Sequence, residues 1–253
     1  MSQHPFCIFG RKPILEAIDA GKRFDKILLL KGASGEEVKQ ILQAAKDADT
    51  PVQQVPKEKL DSVAKKYAKF REANHQGVIG FLSMIDYHSL DDVVHHVLAK
   101  GENPLILVLD GITDVGNFGA IARSAECLGA HALVIPSQGA AQINAEAMKS
   151  SAGALNKILV CREKNLYQAV SYLKTNGLRI FGTEMKGSSE VQAVDFNLPC
   201  AVIMGSEGVG ISKDLLKLCD EKIRIPMSGT TESLNVSVSA AIVLYEAQRQ
   251  RSK

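Results

Sequence analysis

The chain has 253 residues, of which 45% are apolar and 23% charged, and its formal net charge is +2. This is the composition of an ordinary soluble globular protein, with enough residues for one large domain or two modest ones. The longest apolar runs, such as residues 105–110, are strand-sized and too short to cross a bilayer. The first residues lack a basic region followed by an apolar stretch, so we expect a cytoplasmic protein without a secretion signal.

Cysteine and histidine residues do not form the pattern of a disulfide framework or a metal site. The five cysteines are odd in number and widely spaced without a CxxC pair, and the six histidines include no HExxH motif. His95 and His96 are adjacent and would point to different faces of a helix. We therefore expect neither a disulfide nor a metal. The small net charge permits nucleic-acid binding without predicting it.

The first part of the chain, residues 1–85, has the pattern of a small α/β domain, in which helical periodicity alternates with short apolar runs. The predicted elements are helices over 13–20 and from residues 36 and 57, and strands over 26–30, 52–55 and 77–81. The basic segment 65–77 carries two aromatic residues; it fits a nucleic-acid contact, and equally a solvated helix end and loop. Residues 86–103 are predicted to form a connecting helix and a turn.

The second part, residues 104–253, is predicted to be a larger α/β domain. Strands that are apolar on both faces alternate with helices, which is typical of a parallel sheet covered on both sides. The predicted strands cover residues 105–110, 132–136, 157–161, 179–183, 200–205 and 222–226. Ligands of such sheets bind beyond the carboxyl ends of the strands. Glycine and small polar residues follow the strands there, at 110–111, 182–183, 205–208 and 226–229.

Three segments of this second part have unusual local sequences. The glycine-rich run 205–210 has neither dinucleotide-binding spacing nor the Lys-Ser/Thr pair of a phosphate loop, so it is a different binding loop or a plain tight turn. We expect Arg123 on an apolar helix face with Ile121, Ala122 and Ala125, where it requires an anionic partner, a wet cleft or a structural salt bridge. In residues 233–239, Ser and Asn alternate with apolar residues, as in a site for a small polar ligand or in a capped helix.

Together the three segments resemble the motifs of the SpoU (TrmH-like) branch of RNA ribose 2′-O-methyltransferases, in the SPOUT superfamily. The motifs correspond to Asn117–Arg123, Ile203–Gly208 and Ile225–Ser237. Residues 1–85 more weakly resemble the L30e-like substrate-binding domain that precedes the catalytic domain in several members. The two-domain layout is most similar to the bacterial members that methylate a guanosine ribose of 23S rRNA. A tRNA ribose is the alternative substrate.

The resemblance implies an α/β fold with a SPOUT domain over residues 104–253, in which the sheet ends in a trefoil knot. An L30e-like RNA-binding domain over residues 1–85 and a linker over 86–103 would precede it. The periodicity of the sequence does not indicate a knot, and chains in general avoid one. The resemblance further implies a homodimer with active sites near the subunit interface. S-adenosylmethionine would bind in the knot, and RNA would be the substrate.

The resemblance also assigns residues to the site. The catalytic residues would be Asn117, Arg123, Glu207, Ser233 and Asn235. The cofactor would contact Thr183, Gly205, Ile225, Met227 and Leu234. From the first part, we expect RNA contacts by Arg11, Lys12, Lys65, Lys66, Lys69 and Arg71, since phosphate neutralisation dominates RNA affinity.

Methyl transfer to a ribose hydroxyl requires that the hydroxyl lose its proton. Proposals for the family give the role of base to the arginine that corresponds to Arg123, although a guanidinium is a very weak acid and a poor base in its charged form. We expect instead that Arg123 stabilises the developing alkoxide, or clamps an RNA phosphate while water removes the proton. Glu207 would order Asn117 or Arg123, and Ser233 and Asn235 would orient the ribose.

Two other classes of protein are compatible with parts of the sequence. A ribosomal RNA-binding protein that has lost catalysis would retain the fold, but the intact residues Asn117, Arg123, Glu207 and Asn235 oppose it. An oxidoreductase is disfavoured because the dinucleotide fingerprint is missing.

Overall fold

The computed structural model describes residues 7–67, 74–186, 188–230 and 233–252. The chain divides into two compact units, Met1–Asp86 and Tyr87–Lys253. The elements of the first unit are β1 (Cys7–Phe9), α1 (Arg11–Asp19), β2 (Phe24–Leu30), α2 (Glu36–Asp47), β3 (Val52–Val55), α3 (Lys57–Tyr67) and β4 (Val78–Leu82).

The first unit is a four-stranded sheet in the order β1-β4-β2-β3, with β2 and β3 parallel and the other pairs antiparallel. Side chains alternate across a strand, so β2 supplies both faces. Ile27 and Leu29 pack with α1 and α2, whereas Leu28 packs on the side of α3. The predicted elements are confirmed, and β1 is added to them; with three residues, it is too short to show a periodicity.

The second unit contains the remaining elements. They are β5 (Tyr87–His88), α4 (Leu90–Ala99), β6 (Leu105–Asp110), α5 (Val115–Cys127), β7 (Ala132–Pro136), α6 (Ala145–Ser150), β8 (Leu159–Glu163), α7 (Leu166–Thr175), β9 (Arg179–Thr183), β10 (Ser189–Glu190), β11 (Cys200–Gly205), α8 (Lys213–Leu218), β12 (Glu221–Arg224) and α9 (Val236–Arg251). Within the described residues, none of these helices is long and apolar enough to span a membrane.

The predicted parallel sheet is confirmed. Its strands lie in the order β10-β12-β9-β11-β6-β7-β8-β5, and every pairing between neighbouring strands is parallel. The core on one face joins α4, α7 and α8 to the central strands, and α5 packs against α6 and α9. The carboxyl ends of β9, β11 and β6 are therefore neighbours at one edge of the sheet.

The segment 86–103, predicted as a connection, is largely part of the second unit. Its strand β5 pairs with β8, and Leu90, Val93 and Val94 of α4 lie in the core of the large sheet. The division between the units falls after Asp86, one residue beyond the predicted end of the first part. A two-residue strand gives no periodic signal, whereas the apolar stripe of α4 could have indicated packing against the sheet.

Arg251 fixes the end of α9 to the start of the sheet. Its guanidinium donates hydrogen bonds to the backbone carbonyls of Phe196 (2.7 Å), Leu198 (2.9 Å), Asn103 and Pro104 (3.2 Å). Those residues flank the amino ends of β6 and β11. One planar cation thus satisfies four carbonyl oxygens that would otherwise compete for water at this edge.

We expect Arg251→Ala to lower the free energy of unfolding of the second unit by about 2–3 kcal/mol, because hydrogen bonds to a charged group contribute about 1.5–3 kcal/mol. Urea denaturation measures the change. The matched control is Lys217→Ala, since Lys217 pairs with Asp214 on the surface and both side chains are more than 70% exposed; this change should cost less than about 0.5 kcal/mol. Equal unfolding midpoints for the two variants would show that the Arg251 contacts do not stabilise the fold.

Candidate functional site

Polar groups gather where β9, β11 and β6 end. Thr183, Gly205 and Asp110 are the last residues of these strands. Gly205 pairs with Asp110 in the sheet, and the Thr183 hydroxyl donates to the Ile203 carbonyl (3.0 Å). The segment after β12, which contains Ile225 and Met227, begins at the same edge because β12 is parallel to β9.

A hydrogen-bonded cluster joins the three sequence motifs. One carboxylate oxygen of Glu207, Oε1, accepts the side-chain amides of Asn117 (3.2 Å) and Asn235 (2.8 Å) and the backbone N–H of Val236 (3.2 Å). The Asn235 amide also donates to Asn117 Oδ1 (3.0 Å). Asn117 and Asn235 lie 90 and 28 residues from Glu207 along the chain. The fold therefore builds one cluster from three distant segments.

Local structure fixes Asn117 at the start of α5. The preceding Asp114 is the N-cap, and its carboxylate accepts the Asn117 backbone N–H (2.7 Å). The helix α6 approaches the same turn at Gly119, where a Cβ would lie 1.8 Å from Ser150 Oγ and 2.9 Å from the Ala147 carbonyl oxygen. Sequence reasoning missed Asp114 and Ser150, although an Asp three residues before a helical Asn is a recognisable cap signal.

Asn235 serves two purposes, which explains the mixture of polar and apolar residues in 233–239. It is the N-cap of α9, and its Oδ1 accepts the backbone N–H (2.9 Å) and the hydroxyl (2.6 Å) of Ser237. Its amide nitrogen is thereby directed to Glu207 and Asn117. Val236 and Ala240 are buried beneath this turn. A helix cap and a polar site thus share one side chain.

The loop that carries Glu207 is closed on itself and fixed at its base. Gly210 donates its N–H to the Ser206 carbonyl (2.9 Å), and the chain folds back over Gly205 so closely that a Cβ there would lie 2.2 Å from the Gly210 carbonyl carbon. Asp110 accepts the backbone N–H of Ser212 (2.7 Å) at the far end of the loop. Sequence reasoning missed Asp110 as a support, although residues 110–111 belong to the predicted ligand edge.

Arg123 lies outside this cluster. Ile121, Ala122 and Ala125 are buried, but Arg123 is exposed, and no hydrogen bond or ion pair joins it to the residues that the structure describes. The expectation that it shares the apolar face was therefore wrong, because its place on α5 turns it toward solvent. Of the two groups that Glu207 was expected to order, Asn117 is its partner and Arg123 is not.

The remaining expected cofactor residues present apolar surface. Ile225 is half-buried, and Met227 and Leu234 are 42% and 37% exposed. Ser233, next to Leu234, is also exposed. Among the described residues, no cluster of His, Cys, Asp and Glu could hold a metal ion. The arrangement suits an uncharged or apolar ligand group next to a polar cluster.

The basic residues of the first unit differ in their surroundings. Lys12, Lys65 and Lys66 are exposed. Arg11 makes hydrogen bonds within its own unit: its guanidinium donates to the carbonyls of Gln76 (3.2 Å) and Ser34 (3.2 Å). Lys69 and Arg71 lie outside the described residues.

The end of the basic segment 65–77 is held by His75. Its ring accepts the Gly77 N–H at Nδ1 (3.0 Å), and Nε2 lies 2.9 Å from an Asp61 carboxylate oxygen. This hydrogen bond lowers the pKa of Asp61. The contacts of Nδ1 with Gly77 and of Nε2 with Asp61 together orient the ring.

Several known proteins are similar over nearly the whole chain. A protein of Bacillus subtilis (strain 168) assigned to the TrmH family of tRNA/rRNA methyltransferases is 32% identical over 252 residues, covering 100% of this chain and 98% of the relative. A protein of Staphylococcus aureus (strain MSSA476) assigned to the same family is 35% identical, covering 96% of each chain. The crystal structure of the SpoU methyltransferase AviRb from Streptomyces viridochromogenes, in complex with S-adenosylmethionine, covers 98% of this chain and 90% of that chain, with 26% identity and a TM-score of 0.61.

Family models match both units. The model of the SpoU rRNA methylase family matches residues 104–245, and that of the RNA 2′-O ribose methyltransferase substrate-binding domain matches residues 7–88. The first match contains all three motifs of the hydrogen-bonded cluster. The chain therefore belongs to the SpoU family of RNA 2′-O-methyltransferases, with S-adenosylmethionine as its cofactor.

Proposed function

We propose that the chain methylates a ribose 2′-hydroxyl in ribosomal RNA, with a guanosine of 23S rRNA as the target. The observation that carries the proposal is the cluster of Asn117, Glu207 and Asn235, which joins all three family motifs at the carboxyl edge of the sheet. The two-unit layout, similar to that of the bacterial enzyme RlmB, supports the 23S assignment. A tRNA ribose is the second candidate, because the similar proteins of B. subtilis and S. aureus are named as tRNA/rRNA methyltransferases.

The residues at the edge of the sheet fit S-adenosylmethionine, which supplies a methyl group on a sulfonium. The exposed side chains of Met227 and Leu234 offer apolar contacts to an adenosyl group, and the loop that closes over Gly205 offers backbone donors and acceptors. Thr183 and Ile225 complete this proposed cofactor site. The trefoil knot that the family resemblance implies would form here from the segments after β11 and β12.

The reacting ribose would be held by the polar cluster. Asn235 has a fixed amide, and the exposed Ser233 lies two residues before it. Positioning of this kind supplies much of the acceleration of an in-line displacement. The exposed guanidinium of Arg123 has no partner among the described residues, so it suits an RNA phosphate better than a group of the cluster.

The first unit would supply further RNA affinity. The exposed Lys12, Lys65 and Lys66 suit phosphate contacts, and Arg11 has five N–H donors, more than its two bonds to carbonyls use. On the basis of the sequence alone, we add Lys69 and Arg71 to the proposed RNA contacts. The exposed Lys66 ammonium lies 5.4 Å from the centre of the Tyr67 ring, so a cation and an aromatic group occur together at the end of α3.

Asn235→Ala and Arg123→Ala should each reduce methyl transfer to RNA by at least about a hundredfold, the scale of losing a positioning or charge-stabilising group. Single-turnover methylation with labelled S-adenosylmethionine measures the rates. Asn165→Ala is the matched control for the lost cap, because Asn165 caps α7 through the Tyr167 and Gln168 N–H groups. This control should cost about 1 kcal/mol of stability and little activity. Near-normal turnover in folded Asn235→Ala or Arg123→Ala would contradict the assigned roles.

Gly205→Ala should weaken binding of S-adenosylmethionine by about tenfold or more. The added methyl group meets backbone rather than a flexible side chain, so the loop must move, and such overpacking costs about 1–3 kcal/mol. Gly177→Ala is the control, because a Cβ at Gly177 meets nothing within 4 Å among the described residues and Gly177 precedes β9 at the opposite edge of the sheet, so its positive φ should cost stability and not affinity. Isothermal titration calorimetry compares the two variants. Equal affinities would show that the Gly205 loop is not part of the cofactor site.

We further propose a homodimer that forms through α5 and α9. A shallow apolar groove lies between these helices, lined by Ala120, Ser124, Ser237, Val238, Ala241, Ile242 and Tyr245. Val238 and Tyr245 are 46% and 62% exposed, although both belong to a largely apolar helix face. Ser237 also bonds to Asn235, so a second copy seated on the groove would lie beside the polar cluster, as the family resemblance implies.

Tyr245→Asp should convert the dimer into a monomer, since a carboxylate would be buried without a partner in the interface. Sedimentation velocity measures the oligomeric state. Tyr167→Asp is the control, because Tyr167 is 47% exposed on α7, away from the groove, and this variant should remain dimeric. A wild-type monomer, or a Tyr245→Asp dimer of unchanged affinity, would overturn the proposed interface.

A further inference from the structure

The two carboxylate oxygens of Glu207 have different surroundings. Oε1 accepts three N–H groups, from Asn117, Asn235 and Val236. The side chain is exposed, and no hydrogen bond joins its second oxygen, Oε2, to the residues that the structure describes. The carboxylate is thus held firmly through one oxygen while the other keeps its capacity to accept a hydrogen bond.

A ribose hydroxyl placed at the cluster would find few other proton acceptors there. The side-chain amides of Asn117 and Asn235 are not basic, and a guanidinium such as that of Arg123 offers no acceptor atom. Two other carboxylates of the described residues lie nearby, but each accepts a backbone N–H: Asp114 that of Asn117 as the cap of α5, and Asp110 that of Ser212. Glu207 is therefore the one carboxylate, among the described residues, that is hydrogen-bonded to the side chains of the cluster.

The loop geometry keeps this carboxylate in place. The Ser206–Gly210 closure, the close approach of Gly210 to Gly205 and the bond from Ser212 to Asp110 fix both ends of the loop to the sheet. A general base needs such fixed geometry, since the proton must be within hydrogen-bond reach when the nucleophile attacks. The cluster thus positions an acceptor as well as a ribose.

We propose that Glu207 Oε2 accepts the proton of the ribose 2′-hydroxyl during methyl transfer; this inference rests on the proposed function. The bond between O2′ and the methyl carbon forms as the carbon–sulfur bond breaks, and the electron pair of that bond remains on sulfur as a thioether. The O2′ proton passes to Oε2, and later to solvent. Arg123 then binds RNA phosphate and takes no part in the proton transfer.

Glu207→Gln separates this role from a structural one. Gln retains an oxygen that can accept the three N–H groups, but replaces Oε2 by an NH₂ donor of almost the same size. We expect single-turnover methylation of the RNA that the wild type methylates to fall at least about a hundredfold, with S-adenosylmethionine affinity within about threefold of wild type. Glu221→Gln is the matched control; Glu221 pairs with Arg179 at the amino end of β12, the opposite edge of the sheet.

Equilibrium binding gives a second readout that does not depend on turnover. The target nucleotide is replaced by its 2′-fluoro analogue, which cannot donate a hydrogen bond to Oε2. The wild type should bind the 2′-hydroxyl RNA about tenfold more tightly than the 2′-fluoro RNA, as expected for a hydrogen bond to a charged group. Glu207→Gln should lose this preference, because its NH₂ group donates rather than accepts.

The outcomes separate the two levels of inference. Glu207→Gln turnover within about fivefold of wild type, or an unchanged preference for the 2′-hydroxyl, would overturn the role of Oε2 while leaving the methyltransferase assignment intact. If Asp114→Asn lost most of its activity while Glu207→Gln remained active, Asp114 would be the proton acceptor. The proposal for Glu207 Oε2 would then be overturned as well. A wild-type protein that methylates no RNA would instead contradict the proposed function itself.

Discussion

The site depends on one carboxylate oxygen that accepts three N–H groups from two distant segments of the chain. Glu207 Oε1 binds Asn117, Asn235 and the start of α9. Hydrogen bonds to a charged acceptor are stronger than those between neutral groups, and bonds in one network reinforce each other. The first turn of α5, the loop after β11 and the first turn of α9 therefore cannot move independently.

The supports of this interaction are mostly backbone contacts at the ends of strands and helices. Gly205 and Gly119 allow close approaches that a Cβ would prevent, and Asp110 and Asp114 satisfy N–H groups at a loop and at a helix start. These two hydrogen bonds fix the start of α5 and the far end of the Glu207 loop. Stability and function are coupled at Asn235 above all, since one side chain both caps α9 and completes the polar cluster.

Much of the fold follows from local sequence, because strands that are apolar on both faces indicate a parallel sheet covered by helices on both sides. Strands β6, β7, β9 and β11 lie where the sequence predicts them. The short strands β5 and β10 could not be predicted, since two residues are too few to show an alternation of apolar and polar side chains. They are strands only because they pair with β8 and β12. The order of strands likewise depends on contacts between distant segments.

The candidate site was predicted in part, and from family motifs rather than from periodicity. Asn117, Glu207 and Asn235 do meet, but Arg123 is exposed, whereas Ile121, Ala122 and Ala125 of the same helix are buried. The supports Asp110 and Ser150 were missed because their partners are 102 and 35 residues away and no local pattern connects them.

The most direct measurement identifies the chemical product. The protein is incubated with S-adenosylmethionine that carries an isotopically labelled methyl group, together with ribosomal and transfer RNA from a strain that lacks the protein. The RNA is then separated, digested to nucleosides and analysed by mass spectrometry. The proposed function predicts label in 2′-O-methylguanosine from 23S rRNA. Label on a nucleobase, or in no nucleoside of either RNA, would contradict it.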